Sequence, residues 1–174
     1  MIKVLKIAGI VLFCLVLLGP GAAWIASDPL PEGEQVPEAE ALADKMLAAI
    51  DYDAYQQIKT LSWTFAGRHH YVWDKQENIV TVRWGDIEVE FSPDTFEGSA
   101  SEKGKPLEGD QLHELIQTAW TYFANDSFWL VAPFKVRDPG TERRLVETPD
   151  GSALLVTYTS GGVTPGDSYL WLLD

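Results

Sequence analysis

Near residue 59 the spacing of apolar side chains changes from every fourth residue to every second, and this change limits what the chain can fold into. Before it, EAEALADKMLAAI (residues 38–50) sets Leu42, Met46 and Ile50 four apart, with Ala39 and Ala43 beside them. That spacing predicts an amphipathic helix of about three turns, followed by a short turn or helix over 51–57. After it, Leu61, Trp63 and Phe65 alternate with Thr60, Ser62 and Thr64. The same alternation recurs over 69–75, 78–84 and 87–91, broken by Gly67, the Lys75-Gln76-Glu77-Asn78 group and Gly85-Asp86. Side chains on a strand point alternately to opposite faces, so four strands joined by short turns predict an antiparallel meander.

Residues 95–101 are expected to add a fifth strand before the polar loop EKGKPLEGD. Asp110 then stands as the expected N-cap of a helix over 110–124, with Leu112, Leu115, Ile116, Ala119 and Phe123 on one stripe. A separate apolar patch over 128–134 is closed by Pro133, and strands resume over 141–147, 153–159 and 168–173. Because SYLWLLD reads as a strand entering a turn, further strands are expected beyond Asp174. The fold class that follows is α+β: a curved antiparallel sheet, an open half-barrel, covered by helices.

A different kind of segment precedes this domain. MIKVLK is basic, and residues 7–26 carry no charge. Such a run is long enough to cross a hydrocarbon core, and Lys3 and Lys6 would hold its amino end in the cytoplasm. An uncleaved anchor would use the whole run, with Trp24 at the outer interface; a cleaved signal would use the apolar core up to Leu18 and the small residues at 21–23. Both readings export the rest, either anchored in the inner membrane and facing the periplasm or another extracytoplasmic space, or released to the periplasm. The expected organisation is a leader over 1–26, a Pro- and Glu-rich linker over 27–37, and a domain over 38–174.

All 26 Asp and Glu lie beyond Ala26, against 11 of the 13 Lys and Arg, a formal balance of −15 for the exported part. That charge argues against nucleic acid and anionic lipid as partners. The single cysteine, Cys14, lies inside the apolar leader, so no disulfide staples the domain.

The residues capable of chemistry do not assemble into a catalytic pattern. His69 and His70 are neighbours on a strand and point to opposite faces, so they cannot share a metal, and His113 falls on a predicted helix. Glu88 and Glu90 take the polar face of an alternating strand, and Gly161-Gly162 is too short for a phosphate loop. No metal, cofactor or enzymatic activity is therefore expected.

The aromatics say more. Seven Trp, six Tyr and seven Phe are many for a small core. Trp63, Tyr71, Trp73, Trp84 and Phe91 fall on predicted strands, while Trp120, Phe123, Phe128 and Trp129 fall in or after the second helix. On a curved sheet closed by a helix these nine could line an apolar cavity. The expected function is non-catalytic binding there of a lipid, acyl chain or other apolar small molecule. The alternative is an envelope interaction or assembly module whose core is filled.

The layout of leader, helix, even-stepped meander, second helix and further strands resembles the LolA/LolB-like lipoprotein carriers, as do HHYVWDKQENIVTVRW and PGDSYLWLLD with their Tyr/Trp-rich strands. The resemblance spans residues 38–174 and implies an open half-barrel with a helical lid over an apolar cavity. No residue matches a functional residue of that family; Arg68 corresponds only by location to the arginine linked to lid closure.

The leader reading has a direct test. With an uncleaved anchor, fractionation should leave the intact chain in membranes through high-salt and alkaline washes. A soluble product starting near residues 24–27 would decide for cleavage, and a reporter fused after Asp174 that works only in the cytoplasm would end both readings.

Overall fold

The computed structural model describes residues 30–173. The leader predicted over 1–26 and the membrane crossing assigned to it lie outside the described residues. Among the described residues no helix is long and apolar enough to cross a membrane. All the elements below belong to the compact unit Gly33–Asp174.

Helix α1 (Pro37–Ala49) opens with a proline in its first turn and with Glu38 and Glu40 near its positive end, both favourable there. It buries Ala39, Ala43, Met46 and Leu47. A short helix α2 (Tyr52–Gln57) follows, capped by Asp51, whose carboxylate accepts from the Ala54 amide.

The predicted meander is present and longer than expected. Strands β1 (Thr60–Phe65), β2 (His69–Asp74), β3 (Ile79–Trp84), β4 (Ile87–Phe91), β5 (Gly98–Glu102) and β6 (Lys105–Leu107) pair in sequence order, all antiparallel, in one sheet that does not close. The register places Trp63, Tyr71, Val82, Val89 and Ala100 in one row across it. A second row on the same face holds Leu61, Trp73, Val80, Phe91 and Gly98. At Gly98 a Cβ would lie 2.0 Å from the Glu90 carbonyl oxygen, so the row can end there only on glycine. Strand β6 corrects the expected polar loop: Lys103 and Gly104, both at positive φ, form a two-residue hairpin turn that returns Lys105 to Glu102.

Helix α3 (Gly109–Val131) crosses the apolar face of this sheet, burying Ile116, Ala119, Phe123 and Val131. It begins earlier and ends later than its sequence suggests. Glu108 occupies the N-cap without a side-chain bond, and Asp110 lies in the first turn, where its charge favours the helix dipole but does not cap. The patch expected over 128–134 is the helix's own last turn followed by a 3-10 turn (Ala132–Lys135).

The remaining strands correct the expectation of a single sheet. Strands β7 (Thr141–Thr148), β8 (Gly151–Tyr158) and β9 (Ser168–Trp171) form a separate three-stranded antiparallel sheet. Its Leu154 and Val156 pack with Val136 and the buried face of α1, while Val146, Ala153 and Leu155 form a small cluster of buried side chains on the opposite face. Alternation assigns faces but not which edges pair, and the 23 residues of α3 separate the two sets of strands. The architecture is thus α+β, with α3 on the six-stranded sheet and α1 on the three-stranded one.

Phe91 is 1 % exposed and sits beneath α3. Phe91→Ala should cost about 3–5 kcal/mol in urea unfolding, the range for emptying a buried aromatic site; a loss below about 1 kcal/mol would contradict this packing.

Candidate functional site

Two features stand out around the carboxy-terminal half of α3. The first is a cavity of about 370 Å³ bounded by α3, the turn after it and the β8–β9 connection. Trp120, Phe123, Ala124, Ser127 and Phe128 recur at helical spacing and give α3's side of the wall. Tyr158, at the end of β8, and Tyr169, in β9, supply the opposite side. Phe128 stands edge-on to Tyr158 (5.2 Å, 83°) and lies 4.9 Å from Tyr169, and Trp129 stands edge-on to Tyr169 at 6.3 Å. Trp129 is 62 % exposed, unusual for so large an apolar ring.

The loop TSGGVTPGD (159–167) borders the cavity and is held by backbone bonds at both ends. The Thr159 amide and hydroxyl both donate to the Gly140 carbonyl (2.7 and 2.9 Å), the Gly166 amide to Tyr158 (2.7 Å), and the Tyr158 amide to Asp167 (2.9 Å). Gly140 lies at φ +82°, and a Cβ there would stand 2.1 Å from the Ser160 hydroxyl, so this contact demands glycine. Gly161 and Gly162, dismissed as a phosphate loop in the sequence, are part of this wall. Lys135 and Asp138 form an ion pair beside it. Burial raises the Tyr158 hydroxyl well above the ordinary tyrosine value, with Asp138 adding to the effect. The same hydroxyl is buried without a hydrogen-bond partner among the described residues.

The second feature is a buried carboxylate. Asp126, 3 % exposed, accepts from the Tyr71 hydroxyl at 2.6 Å and pairs with His69 Nδ1 at 2.7 Å on one oxygen. Its other oxygen accepts from the Asn125 amide at 2.8 Å. The His69 ring stacks on Tyr122 at 4.2 Å. His70 points the other way and bonds to Thr64 at 2.8 Å on the exposed face, as strand alternation requires. Tyr71 is raised far above its ordinary value, first by burial and then by its bond to Asp126.

Of the nine aromatics expected at one site, Trp120, Phe123, Phe128 and Trp129 border the cavity. Trp63, Tyr71, Trp73, Trp84 and Phe91 instead pack between the six-stranded sheet and α3. Trp63 stacks on Tyr71 at 4.5 Å, Trp73 stands edge-on to Phe123 at 5.2 Å, and Trp84 edge-on to Tyr122 at 5.4 Å. Arg68 is exposed in the turn after β1. Glu88 pairs with Arg83 on the outer face, and Glu90 is exposed. Sequence reasoning missed Tyr158, Tyr169 and Asp126. For Asp126 a signal existed: the stripe Ile116, Ala119, Phe123 continues onto position 126, which places a carboxylate where burial is expected.

Comparisons with known proteins add little. No family model matches the chain, and no solved structure does. The human signal-induced proliferation-associated 1-like protein 2 is 29 % identical over 101 residues, which cover 56 % of this chain and 6 % of that protein. The chain therefore spans a small fraction of that relative's length, and the likeness assigns no family.

Tyr71 supplies a test of the buried cluster. A raised folded-state value means that its stabilisation is complete below 10.0, the ordinary tyrosine value, and declines as pH rises above it, because the unfolded chain ionises first. Urea unfolding between pH 8 and about 11.5 should show this decline, and Tyr71→Phe should make it shallower, the remainder coming from the other raised tyrosines, Tyr158 among them. Near neutrality the same change should cost about 1–3 kcal/mol, because Asp126 loses a donor.

Proposed function

We propose that this domain binds an apolar ligand, a lipid or acyl chain, without transforming it, in the cavity beside the end of α3. The observation that carries the reading is the aromatic wall of Trp120, Phe128, Trp129, Tyr158 and Tyr169 around about 370 Å³ of space. Burial of apolar surface is worth about 25 cal/mol per Å², so one short chain seated there would gain several kcal/mol. Trp129, largely in water without a ligand, would be covered by one. In the same proposal the six-stranded sheet is the open, curved half-barrel of the LolA/LolB-like carriers and α3 its cover. The charge-free run over residues 7–26 supports a domain outside the cytoplasm in this reading, tethered to the membrane or released from it.

One observation favours the second reading, an envelope interaction module. The space between the six-stranded sheet and α3 is occupied by Phe123, Trp63, Trp73 and their neighbours rather than by a ligand channel. The two readings differ in what Trp129→Ala does.

Titration of the full chain with an uncharged naphthyl fluorophore should give saturable binding and quench tryptophan emission. Trp129→Ala should weaken that binding about tenfold and leave the thermal midpoint within a few degrees, because the ring is exposed and has few partners to lose. Binding that is not saturable, or is indifferent to this change, favours the interaction module.

A further inference from the structure

The cavity wall has a charge and ring arrangement that specifies more than an apolar chain. Three of the contacts among Phe128, Trp129, Tyr158 and Tyr169 are steep, 83° between Phe128 and Tyr158, 78° between Tyr158 and Tyr169 and 89° between Trp129 and Tyr169, while Phe128 is tilted 38° to Tyr169. Rings crossed in this way present both faces and edges to one hollow, and the π face of an aromatic ring carries negative potential. Two carboxylates, Asp138 and Asp167, border the same cavity, against a single cationic side chain, Lys135. Lys135 is already paired with Asp138, which leaves Asp167 unbalanced by any cation among the residues bordering the cavity.

Together these groups disfavour an anion. A carboxylate or phosphate head group would meet the unbalanced Asp167 and the negative faces of the rings. A cation gains from both. Among cations, a primary ammonium needs three hydrogen-bond acceptors in place of its lost water, whereas a quaternary ammonium has no N–H and is surrounded by methyl groups. Its charge is spread over an apolar surface that fits aromatic walls. We infer that the cavity takes an organic cation of the quaternary ammonium class, held by the crossed rings of Phe128, Trp129, Tyr158 and Tyr169 with Asp167 supplying the counter-charge. The inference rests on the reading of this cavity as a binding site and names the head group of its ligand: an amphiphile that is positively charged or zwitterionic with its ammonium inward.

The test uses the full chain and three small probes of similar size: choline, its uncharged isostere 3,3-dimethylbutan-1-ol, and butanoate. Tryptophan emission and titration calorimetry follow each. Choline should bind saturably and about tenfold more tightly than the isostere, and butanoate should not bind. Raising the salt concentration should weaken choline binding and leave the alcohol unaffected. Asp167→Asn should weaken choline several-fold without changing the alcohol, and Trp129→Ala should weaken both. Equal affinity for choline and the isostere, or a preference for butanoate, overturns the inference. If the uncharged naphthyl fluorophore binds and choline does not, the apolar cavity stands and the cation site falls. If neither binds, both fall together.

Discussion

The contact on which the rest of this structure depends is the one between helix α3 and the second strand of the six-stranded sheet. Phe123 lies among Trp63, Trp73 and Phe91, and one turn later Asp126 takes the Tyr71 hydroxyl and the His69 ring. Apolar packing alone would let a helix slide along a pleated surface with modest loss. A buried carboxylate with two short bonds to one strand does not, because displacement would leave a charge unpaired away from water. Asp126 therefore sets the register of α3 on the sheet. The residues that follow it, Ser127, Phe128 and Trp129, are delivered to the cavity as a consequence.

Much of this was legible in the amino-acid sequence, for reasons that are local. The alternation from Leu61 to Phe91 gave the first four strands and the face each side chain takes, since a strand's period is two whatever surrounds it. Strand β6 was not legible, because Lys105-Pro106-Leu107 is too short to show a period. The continuation of α3 through Phe128-Trp129-Leu130-Val131 was hidden for another reason: a continuous apolar run looks the same in a buried strand and a helix. The division into two sheets depends on edge pairing, which no periodicity encodes.

The candidate site was half legible. That aromatic side chains would carry it follows from their number, but their number does not say which fill a core. Five of the nine residues singled out are held by neighbours from the sheet and α3, with Trp63 stacked on Tyr71. The two tyrosines that complete the cavity come from the second sheet, at the ends of a loop whose position depends on the Gly140–Ser160 approach. That approach joins residues 20 apart through a left-handed backbone conformation that favours glycine. In the sequence it appears as an ordinary Pro-Gly turn signal.

The contrast between the two aromatic groups bears on function through its energetics. A tryptophan buries roughly 150–250 Å² when fully enclosed, worth about 4–6 kcal/mol at 25 cal/mol per Å². Trp63, Trp73 and Trp84 realise most of that against the core, whereas Trp129, 62 % exposed, leaves more than half unrealised. Folding alone gives no reason to put such a ring at this position, since a polar residue in the last turn of α3 would serve the helix as well. The exposed ring stands edge-on to Tyr169 and Phe128, at the border of a space lined with similar side chains. Its unused surface faces that space, and covering it would recover the stabilisation that folding leaves unrealised.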